Sequence, residues 1–238
     1  MWTRSELKTR GKLAFKANYW SCVLVALIMT IVSAAAGGSS SSGGSDDAAS
    51  GADIGSIISG AASEVGMSDA SFYALLAGIV GVGLIIAIVI SLFIKNVLVV
   101  GCDSFFLQNA KAQKPTVKEV LGGFSSNYLN IVITMFLKGL FISLWTLLFV
   151  IPGIIKAYEY RMIPFLLAEN PEMTWKEAFA VSKQMMSGNK WNAFVLDLSF
   201  LGWYILSAFT CGILAVFWTN PYVFATDAEL YLALKEQQ

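Results

Sequence analysis

The sequence predicts an all-α fold: a polytopic transmembrane helical bundle of about six spans in three hairpins, each preceded by a cytoplasmic-side amphipathic helix. Three observations predict it. The chain is 56% hydrophobic and 13% charged, whereas a soluble domain carries about a quarter charged residues, so polar side chains are too few to coat a surface in water. Its apolar residues fall in runs long enough to cross a ~30 Å hydrocarbon core at about 1.5 Å per residue. Its lysines and arginines cluster between alternate runs.

The first run is Tyr19 to Ala36, and the second, Phe72 to Ile94, is uncharged throughout. The third, Tyr128 to Ile151, is interrupted only by Lys138 and ends at Pro152-Gly153, a pair that stops a helix and permits a sharp turn. Ile154 to Ala168 follows, shorter and carrying Lys156, Glu159 and Arg161; if it lies at the interface, five spans remain. The fifth run is Asn192 to about Phe209, with Cys211-Gly212 as the next turn, and the sixth starts at Ile213 and continues past Pro221 towards Leu234. Alternating polarity is absent, which excludes barrel strands.

Basic residues set the orientation. Arg4, Lys8, Arg10, Lys12 and Lys16 precede the first span; Lys95, Lys111, Lys114 and Lys118 separate the second and third; Lys176, Lys183 and Lys190 precede the fifth. Lys235 follows the sixth, while the loop at 37–71 holds Asp46, Asp47, Asp53, Glu64 and Asp69 and no Lys or Arg. Both termini are therefore expected in the cytoplasm and the Gly/Ser-rich 37–71 loop outside, as a flexible linker. Ser33-Ala34-Ala35-Ala36 resembles a leader cleavage site, but the long amphipathic leader is expected to be retained.

Short stretches before spans one, three and five look alike: Lys16-Ala17-Asn18-Tyr19-Trp20, Ser125-Ser126-Asn127-Tyr128-Leu129 and Ser187-Gly188-Asn189-Lys190-Trp191. Each reads as an amphipathic helix, a membrane-entry elbow at Asn18, Asn127 or Asn189, and a hairpin, giving units at about 1–101, 115–170 and 172–235 in a single membrane domain, 1–238. Leu7, Leu13, Ala14 and Phe15 in the first helix are expected on lipid, as are Trp175, Ala178, Phe179, Val181, Ser182 and Met185 in the third, where Thr174 and Glu177 form a capping box.

With no histidine among 238 residues, Ser-His-Asp and Cys-His chemistry and imidazole metal sites are excluded. Cys22, Cys102 and Cys211 read as buried thiols. No metal, cofactor or catalytic residue is expected, no GxxxxGK loop supports ATP use, and zero net charge argues against nucleic acid. Gly78-x-x-Gly81-x-Gly83 is read as a site of close helix approach.

The second half carries longer motifs: Pro152-Gly153-Ile154-Ile155-Lys156-Ala157-Tyr158 with Pro164 and Leu167 to Pro171, then Ala178-x-x-x-Ser182-x-x-x-Met186-x-Gly188-Asn189-Lys190-Trp191. Leu196-Asp197-Leu198-Ser199-Phe200-Leu201-Gly202-Trp203 and Asn220-Pro221-Tyr222 complete them. These resemble a bacterial integral-membrane family, the domain-of-unknown-function family nine-seven-five, and more distantly the membrane domain of glycerophosphodiester phosphodiesterases. The leader fits too; the 37–71 loop reads as an insertion. The resemblance implies a multi-pass protein of the bacterial cytoplasmic membrane, and no reaction.

Ionisable residues inside a membrane are functional candidates because an unpaired charge there costs several kcal/mol. Lys138 and Glu159 fall at similar depth and are expected to pair. Arg161, Asp197 and Asp227 all fall roughly 10 Å from the cytoplasmic face, so one arginine could link two carboxylates across spans four to six. Lys156, near the outer end, is expected to snorkel. Pro152, Gly153, Gly212 and Pro221 mark helix breaks. The functional expectation is a transport-related or accessory membrane component, with a non-catalytic scaffold as the alternative and a lipid-acting enzyme least favoured. Expected partners are the lipid bilayer, anionic lipids included, and a membrane protein.

Overall fold

The computed structural model describes residues 2–36, 69–124, 127–210 and 212–237, and among these every regular element is helical. They fall into two compact units, one of residues 1–35 with 92–238 and the other of residues 36–91. The 37–71 loop lies outside the described residues up to 68, and Asp69 already opens a helix. Cys211 also lies outside them.

In the larger unit, α1 (Arg4–Ala17) and α2 (Tyr19–Ala36) meet at Asn18, and the axes of Arg4–Ala17 and Tyr19–Ile31 differ by 104°. The Asn18 amide donates to the Pro115 carbonyl at 3.2 Å, which fixes this bend. The apolar face of α1 is divided: Leu13 is 63% exposed, open to lipid as expected, and the rest turns inward. Leu7 and Phe15 are buried in the core, where α1 runs along the last helix, α10 (Asn220–Lys235). Gly11 permits the approach: a Cβ there would stand 3.0 Å from Thr226 Cα. Arg10 Nε meets Glu229 Oε2 at 2.8 Å, and Tyr222 donates to the Lys8 carbonyl at 3.2 Å. A protein face of matching shape thus covers the rest of the stripe that could otherwise have faced lipid.

The helix α3 (Asp69–Ala110) has 42 residues, about 63 Å at the standard rise. Among the described residues, a Cβ on Gly78, Gly81 or Gly83 would meet nothing within 4 Å. Cys22 and Cys102 are free, buried thiols. Ahead of the third apolar run, where an amphipathic α-helix was expected, stands a 3-10 helix, Val117–Phe124.

The third run forms α4 (Tyr128–Leu148), and the turn after it comes at Phe149, not at Pro152-Gly153. Phe149 is extended, with φ −154° and ψ 134°, and α5 (Val150–Glu159) starts directly behind it. Pro152 sits in the first turn of α5, where its missing N–H leaves no helical hydrogen bond unmade. Gly153 instead permits close packing, because a Cβ there would stand 2.7 Å from Thr146 Cα.

The fourth run is two short helices, α5 and α6 (Ile163–Glu169), separated at Tyr160–Met162. The helix α7 (Trp175–Met186) opens with the capping box of Thr174 and Glu177 and buries Ala178, Ser182, Met185 and Met186. That face also rests on protein, with the Ser182 hydroxyl donating to the Glu159 carbonyl at 2.8 Å. Beyond it come α8 (Lys190–Leu198), α9 (Leu201–Phe209), a π-helical turn at Ala215–Thr219 and α10, which carries Pro221 in its first turn. Gly212, at φ +81°, closes α9.

The three elbows use different backbones. Asn127 is left-handed at φ 47°, Asn18 has φ −136°, and at the third elbow Gly188 takes the positive φ of 77° while Asn189 stays right-handed. By length and composition, two helices among the described residues can cross a membrane: Tyr128–Leu148 and Lys190–Phe209, with mean hydropathies of 2.0 and 1.4. The bent pair formed by α1 and α2 makes a third if it counts as one span.

Candidate functional site

Two interruptions of helix geometry frame one arginine. The first is the Tyr160–Met162 break, which carries Arg161. At the second, α8 tightens before α9: the Phe200 amide donates to the Asp197 carbonyl at 2.9 Å, one residue short of α-helical spacing. The Ser199 hydroxyl donates to the Leu196 carbonyl at 2.5 Å, and Lys8 Nζ donates to the Ser199 carbonyl at 3.3 Å, so the carbonyls at this break find partners. Asp227 comes from within α10, eight residues past the π turn that precedes this helix.

Arg161 binds across these elements. Its Nη1 donates to Asp197 Oδ2 at 2.7 Å, and its Nη2 donates to Asp197 Oδ1 at 2.8 Å and to Asp227 Oδ1 at 2.7 Å. The Asp197 contact is a two-pronged guanidinium–carboxylate pair, the geometry that a lysine cannot reproduce. Tyr158, one turn before Arg161, donates its hydroxyl to Asp197 Oδ2 at 2.7 Å. The Arg161 guanidinium also stands 5.6 Å from the Tyr158 ring. All four side chains keep some exposure, and Asp197 keeps the most of the three charged ones, 35%.

The structure thus brings Arg161, Asp197 and Asp227 together and separates Lys138 from Glu159. Among the described residues no ion pair joins those two. Glu159 turns towards α7 and α8, with Lys156 at 2.7 Å, Lys190 at 3.6 Å and Lys183 at 4.0 Å. Lys156 therefore does not snorkel towards the outer end; it reaches one turn along α5 to Glu159, between the rings of Trp145 and Tyr160. Lys138 lies within electrostatic reach of Asp103 and Arg161, and Asp103 within reach of Asp227. Asp103 is buried, with 5% of its surface exposed.

Two members of this cluster escaped the sequence reading. Asp103 lies in a stretch read as part of a cytoplasmic segment, although the apolar neighbours Val97 to Val100 and Phe105 to Leu107 mark a buried setting. Tyr158 sits three residues before Arg161, a spacing that places both on one helix face. Among the described residues no group of three or more His, Cys, Asp or Glu side chains could hold a metal ion.

Residues 147–238 match the family model described as Protein of unknown function (DUF975). The matched segment is 92 of the 238 residues. That segment holds Tyr158, Arg161, Asp197 and Asp227, while Asp103 and Lys138 lie ahead of it. No curated protein and no solved structure matches the chain.

Proposed function

We propose that the chain is a multi-pass membrane protein of transport-related function, in which the Arg161 cluster is the polar site that a proton or small cation engages. The observation that carries this reading is the bridging of Asp197 and Asp227 by Arg161, which sits at the break between α5 and α6. In transporters, discontinuous helices free backbone groups and side chains to form such sites inside a bilayer. Formal charge favours a cation. Asp197 and Asp227 both contact Arg161, two carboxylates against one guanidinium, so the formal charge of this trio is negative.

Lipid around the bundle is supported by its exposed apolar surface. Leu147 is 86% and Phe209 83% exposed, and Leu148, Phe149, Val150, Ile151 and Ile213 are exposed beside them in sequence at the two hairpin turns. Large apolar side chains grouped this way need cover other than water. In the full reading α2, α3, α4, α5 with α6, α8 with α9, and α10 supply six crossings in three hairpins, and α1 lies on the cytoplasmic side. Both termini and every basic cluster then lie in the cytoplasm.

The test is flux. Proteoliposomes loaded with a pH-sensitive dye and held under a potassium diffusion potential should move protons faster than empty vesicles, and Asp197→Asn should abolish the excess. Equal rates in the two would defeat the proposal. The scaffold reading rests on a different observation: Arg161 ties α8 and α10 to the α5–α6 break, as expected of a residue that fixes helix register. It predicts no flux, with loss of fold in Asp197→Asn.

A further inference from the structure

Glu159 is 3% exposed and faces three ammonium groups drawn from three parts of the chain: Lys156 on its own helix, Lys183 on α7 and Lys190 at the start of α8. Lys156 makes the close contact at 2.7 Å, while Lys190 and Lys183 stand off at 3.6 and 4.0 Å. One carboxylate neutralises one of these cations, so two positive charges are unmatched. The α8 N-terminus adds to them, since Asn189 supplies no side-chain cap to it.

Two cavities adjoin at Lys190. One, of about 390 Å³, is lined by Glu159, Lys183, Gln184, Ser187 and Lys190. The other, of about 220 Å³, is lined by Ile154, Ile155, Tyr158, Trp191 and Phe194 together with Lys190. A cationic hollow therefore continues into an apolar one. Trp191 is 72% exposed, and its ring lies 5.4 Å from that of Phe194.

We propose that this composite groove binds one anionic phospholipid, with its phosphate between Lys183 and Lys190 and an acyl chain along Ile154, Ile155, Trp191 and Phe194. Charge and polarity select this occupant. A soluble phosphate uses only the first cavity and leaves the second uncovered. A zwitterionic lipid brings its own cation to a place already two charges positive. Basic pockets between membrane helices take anionic headgroups on these grounds. The proposal rests on the membrane reading above and is independent of flux through the Arg161 cluster.

The experiment uses the full chain in mild detergent, titrated with phosphatidylglycerol or phosphatidylcholine of identical acyl chains, with bound lipid counted by native mass spectrometry. Phosphatidylglycerol should be retained at least tenfold more strongly. Lys183→Gln combined with Lys190→Gln should remove that preference, while Lys176→Gln, outside the groove, should keep it. If the double variant does not fold, Lys183→Gln alone, on a side chain 67% exposed, should still lower the preference several-fold. Glycerol 3-phosphate should not compete. Equal retention of the two lipids, an unchanged preference in the lysine variants, or competition by glycerol 3-phosphate would each overturn the proposal. A chain that stays monodisperse without detergent would overturn the membrane reading as well, and is told apart by needing no lipid at all.

Discussion

Arg161 holds Asp197 with both terminal nitrogens, at 2.7 and 2.8 Å, from a break in one helix to a tightened turn in another. The second nitrogen also reaches Asp227 at 2.7 Å, so one side chain ties three segments of the chain to one another. Removing one partner of such a pair leaves the other charged and unmatched. Arg161→Gln is expected to destabilise the protein by about 3–5 kcal/mol. Arg161→Lys should recover only part of this, because a single ammonium cannot span both oxygens of Asp197. A double-mutant cycle of Arg161→Gln and Asp197→Asn, followed by denaturation in detergent, should show coupling of about 0.5–3 kcal/mol. Additive losses would mean that the contact carries no energy.

The α4–α5 hairpin depends on Gly153 lying against Thr146. Gly153→Val would push a side chain into the Thr146 backbone, with an expected cost of about 1–3 kcal/mol or more. Gly139 on α4 is the control, because a Cβ there meets nothing within 4 Å. Gly139→Ala should be neutral or slightly stabilising, since a glycine in a helix costs about 0.5–1 kcal/mol relative to alanine. The midpoint of unfolding in each variant measures the difference.

Glu169 closes the end of the bundle where α3, α6 and α10 finish. Lys111, Lys235 and Tyr231 each donate to it at 2.6 Å. Burial alone would raise its carboxyl. The hydrogen bonds from Lys111, Lys235 and Tyr231 outweigh burial and hold it at about 2, below the ordinary 4.5. A carboxyl depressed on folding contributes its full stabilisation above about pH 4.5 and loses it as pH falls towards 2. The expected loss is on the order of 1–2 kcal/mol, because the lysines stay largely in water and are screened. Melting temperature against pH should fall across that window in the parent protein and flatten in Glu169→Gln.

Gly11 is the second place where a hydrogen stands in for a side chain. Gly11→Leu should displace α1 from Thr226 and expose Leu7 and Phe15, read as faster proteolysis after residue 17. Unchanged proteolysis would show that α1 is held by its polar contacts alone.

Height in the bundle was legible in the sequence, because a fixed rise per residue converts chain position into depth. That arithmetic puts Arg161, Asp197 and Asp227 level, and their side chains meet. Direction around a helix was not legible from depth. Lys138 and Glu159 were also placed level, yet Glu159 points to α7 and α8 while Lys138 lies near Asp103. Counted from the turn at Phe149, Lys138 lies 11 residues back and Glu159 10 residues on, so the two do stand level and only their direction around the helix parts them. Proline was taken as a stop where it serves as a start. The amphipathic stripes of α1 and α7 were legible too, but a stripe records only that it is covered. Gly11 beneath Thr226 decides that protein covers the first.

The packing of α1 on α10 also bears on biogenesis. These segments are separated by some 200 residues of chain, which a ribosome adding 5–20 residues each second needs roughly 10–40 s to make. Throughout that interval α1 has an uncovered greasy flank, and α10 is the helix that covers it. Assembly of this bundle therefore waits on synthesis of α10, and a nascent chain stalled short of it leaves an open seam for a chaperone or quality-control protease to recognise.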